Sequence, residues 1–171
     1  MNKHTVITII AIIVIALPIM HSGFSILGVQ QLEYRWDNPG EFNFFNMLNQ
    51  GEMEFCNTVP FWMSIQKFEI ESFYQSDTLG TFTVQPISIS PFSSVIEAGI
   101  FKSENVAEAQ HIFMTFDFEF NGGNVKLDPN EFIITISANT PILGIIPYTT
   151  TTQISGFEFD QLMNAEDLTC N

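Results

Sequence analysis

Basic residues are nearly missing from this chain: five Lys and Arg stand against 19 Asp and Glu in 171 residues, a formal net charge of −14. That deficit excludes nucleic acid as a partner, because its binding rests on Lys and Arg contacts to phosphate. It also sets the surface against anionic headgroups. Histidine is scarce too. Past the first 30 residues only His111 remains, whereas a blue-copper centre, the natural suspicion for an exported β protein, needs two His and a Cys. Gly-x-Ser-x-Gly, a phosphate-cradling glycine loop followed by Lys, and an Asn-x-Ser/Thr acceptor are all absent. Asp117 and Glu119 are two residues apart, the spacing of a strand's solvent face. Asp128-Pro129-Asn130-Glu131 could touch calcium, but a proline turn explains it equally well. The expectation is a non-enzymatic protein with no catalytic, cofactor-binding or metal residue.

Charge of either sign is also missing from a long N-terminal stretch. Between Lys3 and Glu33 only His4 and His21 can titrate, and Thr5 to Met20 is almost wholly aliphatic. A bilayer core takes about 20 helical residues, so residues 1–30 read as a membrane anchor. Lys3 lies on one side and every acid on the other, which keeps the N-terminus in the cytoplasm and exports residues 31–171. The alternative is a cleaved signal peptide, with small residues at Ser22, Gly23 and Ser25, and a secreted domain. Cys56 and Cys170 are the only cysteines. An exported chain sits where disulfides persist, and two cysteines allow one pairing; two buried thiols are the alternative.

Aromatics are what the sequence has in excess, with 18 Phe in a chain that is 46% apolar. His111 to Phe120 carries Ile112, Met114, Phe116, Phe118 and Phe120 in alternation with polar residues, joined by Phe113. Period-two patterning of this kind predicts a central strand, ended by a hairpin turn at Asn121-Gly122-Gly123-Asn124. Alternation also marks Phe61–Tyr74, with a slip at Gln66-Lys67 that suggests a bulge. Phe82–Ile89 follows, with Pro86 arguing for an edge or bulge; further strands begin near Val95, Phe132 and Ile154. Ser103 is placed to cap a short helical turn, and Asp160–Asp167 reads as a last one. Seven or eight short strands, with turn signals about every dozen residues, predict an all-β antiparallel sandwich.

Two segments resemble a known family. Phe55-Cys56-Asn57, Pro60-Phe61 with its alternating strand, Leu79-Gly80, Thr81–Ile89 and Pro91 are similar to the strand, glycine turn and proline turn of late-embryogenesis-abundant type 2 proteins. Thr140-Pro-Ile-Leu-Gly-Ile-Ile-Pro147 resembles that family's penultimate turn. The fold is also called the water-stress-and-hypersensitive-response (WHy) domain. The likeness runs from Gly51 to Phe159; the family's Asn-Pro is here Asn57-Thr58-Val59-Pro60. It implies a fibronectin-III/immunoglobulin-like β-sandwich without enzymatic activity, tied to stress tolerance and carried outside the cytoplasm on a membrane helix. Two functions compete: a protective or protein-interaction module beside the membrane, and a binder or carrier of a lipid or other apolar ligand. The Phe surplus, notably Phe42, Phe44, Phe45, Phe113 and Phe132, speaks for the second.

Overall fold

Period-two alternation does build most of the molecule. The computed structural model describes residues 3–124, 126–166, 168 and 170. An N-terminal helix α1 (Lys3–Gln30) leads into β1 (Leu32–Trp36), a single turn α2 (Phe44–Met47) and β2 (Gln50–Asn57). There follow β3 (Met63–Ile65), β4 (Lys67–Tyr74), β5 (Asp77–Val84), β6 (Ile87–Ile89) and β7 (Ser93–Lys102). Helix α3 (Val106–Phe120), β8 (Phe132–Ile142), β9 (Ile146–Ser155) and α4 (Gly156–Met163) complete the order. β4 buries Phe68, Ile70 and Ser72, and β8 buries Phe132, Ile134, Ile136 and Ala138, every second residue in each case. Their intervening Glu and Thr or Ser residues face outward, as a half-buried strand requires.

Seven strands form one antiparallel sheet in the order β1-β2-β7-β5-β4-β8-β9, and β3 pairs with β6 in a second, two-stranded sheet. β5 bonds both its hairpin partner β4 and, over the four pairs Thr81–Val84, strand β7. The large sheet curls about that short junction until its two ends face each other. Tyr34 of β1 and Phe55 of β2 each pack on Phe68 of β4, with ring centres 4.9 Å apart. The antiparallel β core behind an apolar helix is as expected. The all-β sandwich is not, because β5 bonds strands on both sides and so joins the strands into one curled sheet, and helices α2, α3 and α4 pack with it.

The largest correction concerns His111–Phe120, which is helical and not a central strand. Asn105 caps α3, accepting from the Glu108 N–H and donating to its carboxylate at 2.8 Å. Ala107, Glu108, Ala109 and Gln110 are strong helix formers. Ala109, Ile112, Phe113 and Phe116 are buried at the spacing of a helical stripe, whereas Met114 and Phe118, which a strand would bury, are exposed. Asn121 is the helix C-cap, so Asn121–Asn124 ends a helix and makes no hairpin. Ser103 accepts from the Asn105 N–H and leads into the cap without being it.

Helices α2, α3 and α4 close the end of the curled sheet that lies away from α1. Phe44 stands at their centre, with its ring 5.2 Å from Phe42, 5.6 Å from Phe113, 4.8 Å from Phe132 and 5.8 Å from Phe159. The Phe42–Leu48 patch therefore belongs to this distal core, away from α1.

Candidate functional site

The other end of the sheet is built around α1, whose exposure changes abruptly along its length. From Lys3 to His21 its side chains are almost all exposed; Ser22, Ser25, Gly28 and Val29 are buried. These small residues recur on one helical face and let the backbone approach closely. A Cβ on Gly28 would meet Met63 Sδ at 3.0 Å. Phe24 stacks on Phe61 at 4.4 Å, Ser22 Oγ accepts the Leu143 N–H at 2.7 Å, and Gln30 Nε2 donates to the Tyr148 hydroxyl at 3.2 Å. The helix seat is thus made by β3, the Phe61-Trp62 approach to it, and the β8–β9 hairpin. By length and composition α1 can cross a membrane.

Two loops extend this end beside the helix. On β8, Ala138 lies with Val29 around one cleft, and Leu143, five residues on, bonds to Ser22. The strand therefore runs towards the bare half of α1. The same direction holds from Met63, against Gly28, to Phe61, against Phe24. At the tips Ile145 is 85% exposed and Trp62 61%, with Leu143 and Ile146 also exposed. Asn57, buried at the end of β2, donates from Nδ2 to the carbonyls of Phe61, Ile89 and Ser90, and so fixes the base of the first loop. Sequence reasoning took Asn57, Phe61 and Leu143–Ile146 only as marks of the family resemblance, not as a surface, and passed over Trp62. The available signal was charge: Asn57–Gln66 and Phe132–Phe157 contain no Asp, Glu, Lys or Arg.

The carboxylates that alternation placed on a solvent face do structural work inside the distal end. Asp117 accepts the N–H groups of Phe44 and Phe45 at 2.7 and 2.9 Å, holding α2 against α3. Burial pushes its carboxyl up to about 6, against those two hydrogen bonds, and the Asp160 charge adds to the rise. Glu119 is buried and accepts the N–H groups of Lys126 and Leu127. His111 is exposed on α3, and Asp128 caps the single 3-10 turn Pro129–Glu131. Among the described residues no group of three or more His, Cys, Asp or Glu converges as metal ligands would.

Cys56 and Cys170 are joined, across a sequence separation of 114. Arg35 holds the segment before that bond: its guanidinium donates to the Ala165 and Glu166 carbonyls and forms an ion pair with Glu54 at 2.7 Å. The C-terminal segment thus covers β1, an edge of the large sheet. Between β1 and the opposite edge β9 lies a cleft of about 290 Å³, lined by Val29, Tyr34, Phe68, Ile136 and Thr150 among others. Burial in its wall raises the Tyr34 hydroxyl to about 12.

No family model and no curated protein matches this chain. Among solved structures it is similar to a crystal structure of a protein from Archaeoglobus fulgidus, at 10% identity and a TM-score of 0.34, over 72% of this chain and 94% of that one. A likeness that distant assigns neither fold nor function.

Proposed function

We propose that the chain is a single-pass, membrane-anchored and non-enzymatic module, which holds an acidic β domain outside the cytoplasm for protection or protein interaction. The observation that carries this is the divided burial of α1. About 19 residues from Lys3 to His21 stand free of the domain, roughly 28 Å of helix against a hydrocarbon core of about 30 Å. The following turns are packed into the domain. Lys3 at the far end and the Cys56–Cys170 bond both favour a domain on the oxidising side. With β3–β4 and β5–β6 each counted as one strand, the order β1-β2-β7-β5 then β4-β8-β9 is the A-B-E-D and C-F-G order of immunoglobulin constant-type domains. That order supports the immunoglobulin or fibronectin-III kinship, and with it the late-embryogenesis-abundant type 2 resemblance.

The second reading, a carrier of a lipid or other apolar ligand, has the β1–β9 cleft in its favour. Its 290 Å³ lies at the bottom of the range for small-molecule sites, about 300–1,000 Å³. Of the Phe residues that spoke for it, Phe42, Phe44, Phe113 and Phe132 are buried in the core and Phe45 is half-buried, and none of the five lines this cleft. The interaction module is therefore preferred. Alkaline carbonate extraction of membranes containing the full chain, followed by protease added from the extracytoplasmic side, is the test. The full-length chain should stay in the pellet and its domain should be accessible; a shortened, soluble chain would defeat the anchor. A lipid retained by the detergent-purified chain in native mass spectrometry, and lost in Tyr34→Trp, would favour the carrier.

A further inference from the structure

We infer that the end of the domain around α1 is itself a membrane-contact surface, with Trp62 and the Leu143–Ile146 hairpin tip seated in the interfacial layer of a neutral bilayer. This rests on the anchor reading and adds a second contact to it. The height of the two loops follows from their bonds to the helix. If Lys3 marks one interface, about 19 residues of helix bring His21 to the other, and Leu143 is hydrogen-bonded to Ser22, the next residue. Since β8 runs towards the bare half of α1, the tip beyond Leu143 lies on the membrane side of that bond. Phe61 and Trp62 reach similarly past Met63, with Phe61 stacked on Phe24.

The chemistry of the face agrees with its position. Ile145 is 85% and Trp62 61% exposed, and Leu143 and Ile146 are also exposed. In water such side chains on two adjoining loops have no partner; in the interfacial zone they gain one, and Trp is the residue most at home there. No acid or base lies in Asn57–Gln66 or Phe132–Phe157, although the chain has 24 such residues, 5 basic and 19 acidic. Anionic lipid would find nothing to pair with on this face, so the lipid surface it fits is zwitterionic. The contact should also be insensitive to salt. Together the transmembrane helix and two loop tips make three points of attachment, which fix the tilt of the domain on the membrane.

The chain's two tryptophans supply the test, because Trp36 is only 7% exposed and lies in the core whereas Trp62 is at the tip. The full chain is reconstituted into phosphatidylcholine vesicles with and without bromine on the lipid acyl chains, as the Trp36→Phe and Trp62→Phe variants. Interfacial segments sit about 5–10 Å deep, within reach of bromine near the top of the chains. Brominated lipid should remove most of the Trp62 emission and leave that of Trp36 nearly unchanged. Ile145→Asp with Ile146→Asp, both at exposed positions, should restore Trp62 emission while the chain remains carbonate-resistant. Trp62 emission equal in the two lipids, in a chain that resists carbonate, would overturn this inference and leave the anchor standing. Unquenched but blue-shifted emission that depends on protein density would assign the face to a second copy, and overturns it likewise. Release of the chain by carbonate would remove both.

Discussion

Replacing Gly99 by alanine tests how the large sheet achieves its curl. Gly51 and Gly99 are direct partners across β2 and β7, next to the short β5–β7 junction, and each lies under an aromatic ring. A Cβ on Gly99 would sit 2.2 Å from Cε1 and Cζ of Phe82; one on Gly51 would sit 1.7 Å from Cη2 of Trp36. The rings have little room to retreat. Phe82 is fully buried, Trp36 lies 5.9 Å from it, and Trp36 packs on Phe42 at 5.2 Å. Neither glycine has a positive φ, so alanine fits the backbone and its stiffer unfolded chain contributes about 0.4–1 kcal/mol of stability. Overpacking costs about 1–3 kcal/mol. Gly99→Ala should therefore lose about 1–2 kcal/mol, and Gly51→Ala about 2 kcal/mol or more because its overlap is deeper. For a chain of this size that lowers Tm by about 2–4 °C per kcal/mol, readable by near-ultraviolet circular dichroism of the full chain in detergent. Phe82→Leu should recover part of the Gly99→Ala loss, and the two alanine substitutions should not be additive, since their rings touch. A Gly99→Ala chain at least as stable as the parent would refute the steric account.

Cys170→Ser opens a loop of 114 residues, for which chain entropy sets a ceiling of about 4.8 kcal/mol and typical bonds deliver about 2–4. Reductant should lower the parent's Tm by the same amount, and a Tm unchanged by both treatments would show that Arg35 alone holds the tail. Phe44→Ala should cost about 3–5 kcal/mol in denaturant unfolding, because five rings, those of Phe42, Phe113, Phe120, Phe132 and Phe159, lose their common neighbour; a loss of under about 2 kcal/mol would mean that the distal helices close up around the gap. Asp117 keeps its proton up to about 6 in the folded chain but loses it near 3.8 when unfolded. Its stabilising contribution is therefore complete below about 3.8 and falls as pH rises through about 6, by about 1–2 kcal/mol after allowance for partial exposure. Asp117→Asn should flatten that decline between pH 4 and 6.5, and an unchanged pH profile of Tm would assign the decline to other groups.

The sheet was legible where only one period fits. β8 has Ile134, Ile136 and Ala138 on one face and Ile133, Thr135 and Ser137 on the other, with no helical stripe to compete. His111–Phe120 satisfies two periods at once: the even-numbered residues from Ile112 to Phe120 for a strand, and Ala109, Ile112, Phe113, Phe116 and Phe120 for a helix. In so Phe-rich a run, hydrophobicity cannot decide between them. The deciding residues were Phe113, which breaks the alternation, and the helix-forming Ala107–Gln110 stretch behind Asn105. Other signals were located correctly and caused differently. The slip at Gln66 and the break at Pro86 are both points where a long hairpin leaves the large sheet, so that β3 and β6 pair with each other beneath α1. Gln66 keeps its N–H bonded to the Asn139 carbonyl at 2.8 Å through that bend.

That bend bears on whether the leader is kept. Ser22, Gly23 and Ser25 have the small side chains of a cleavage site, and sequence alone could not separate that role from another. In the fold Ser22 and Ser25 face the domain, Ser22 bonded to Leu143 and Gly28 against Met63. Cleavage at these residues would cut α1 within its own seat, remove the Phe24 ring from Phe61 and leave the Leu143 N–H without its partner. A secreted domain would then present Phe61, Met63 and the Ile145 tip to water on a face without a single charged side chain in its two loops. Solvent-facing loops accept Lys or Glu at almost no cost, so a secreted life gives no reason for two exposed apolar tips to carry none, in a chain with 19 acids to distribute. An intact helix that stays in the bilayer explains both the small-residue stripe and the uncharged loops beside it.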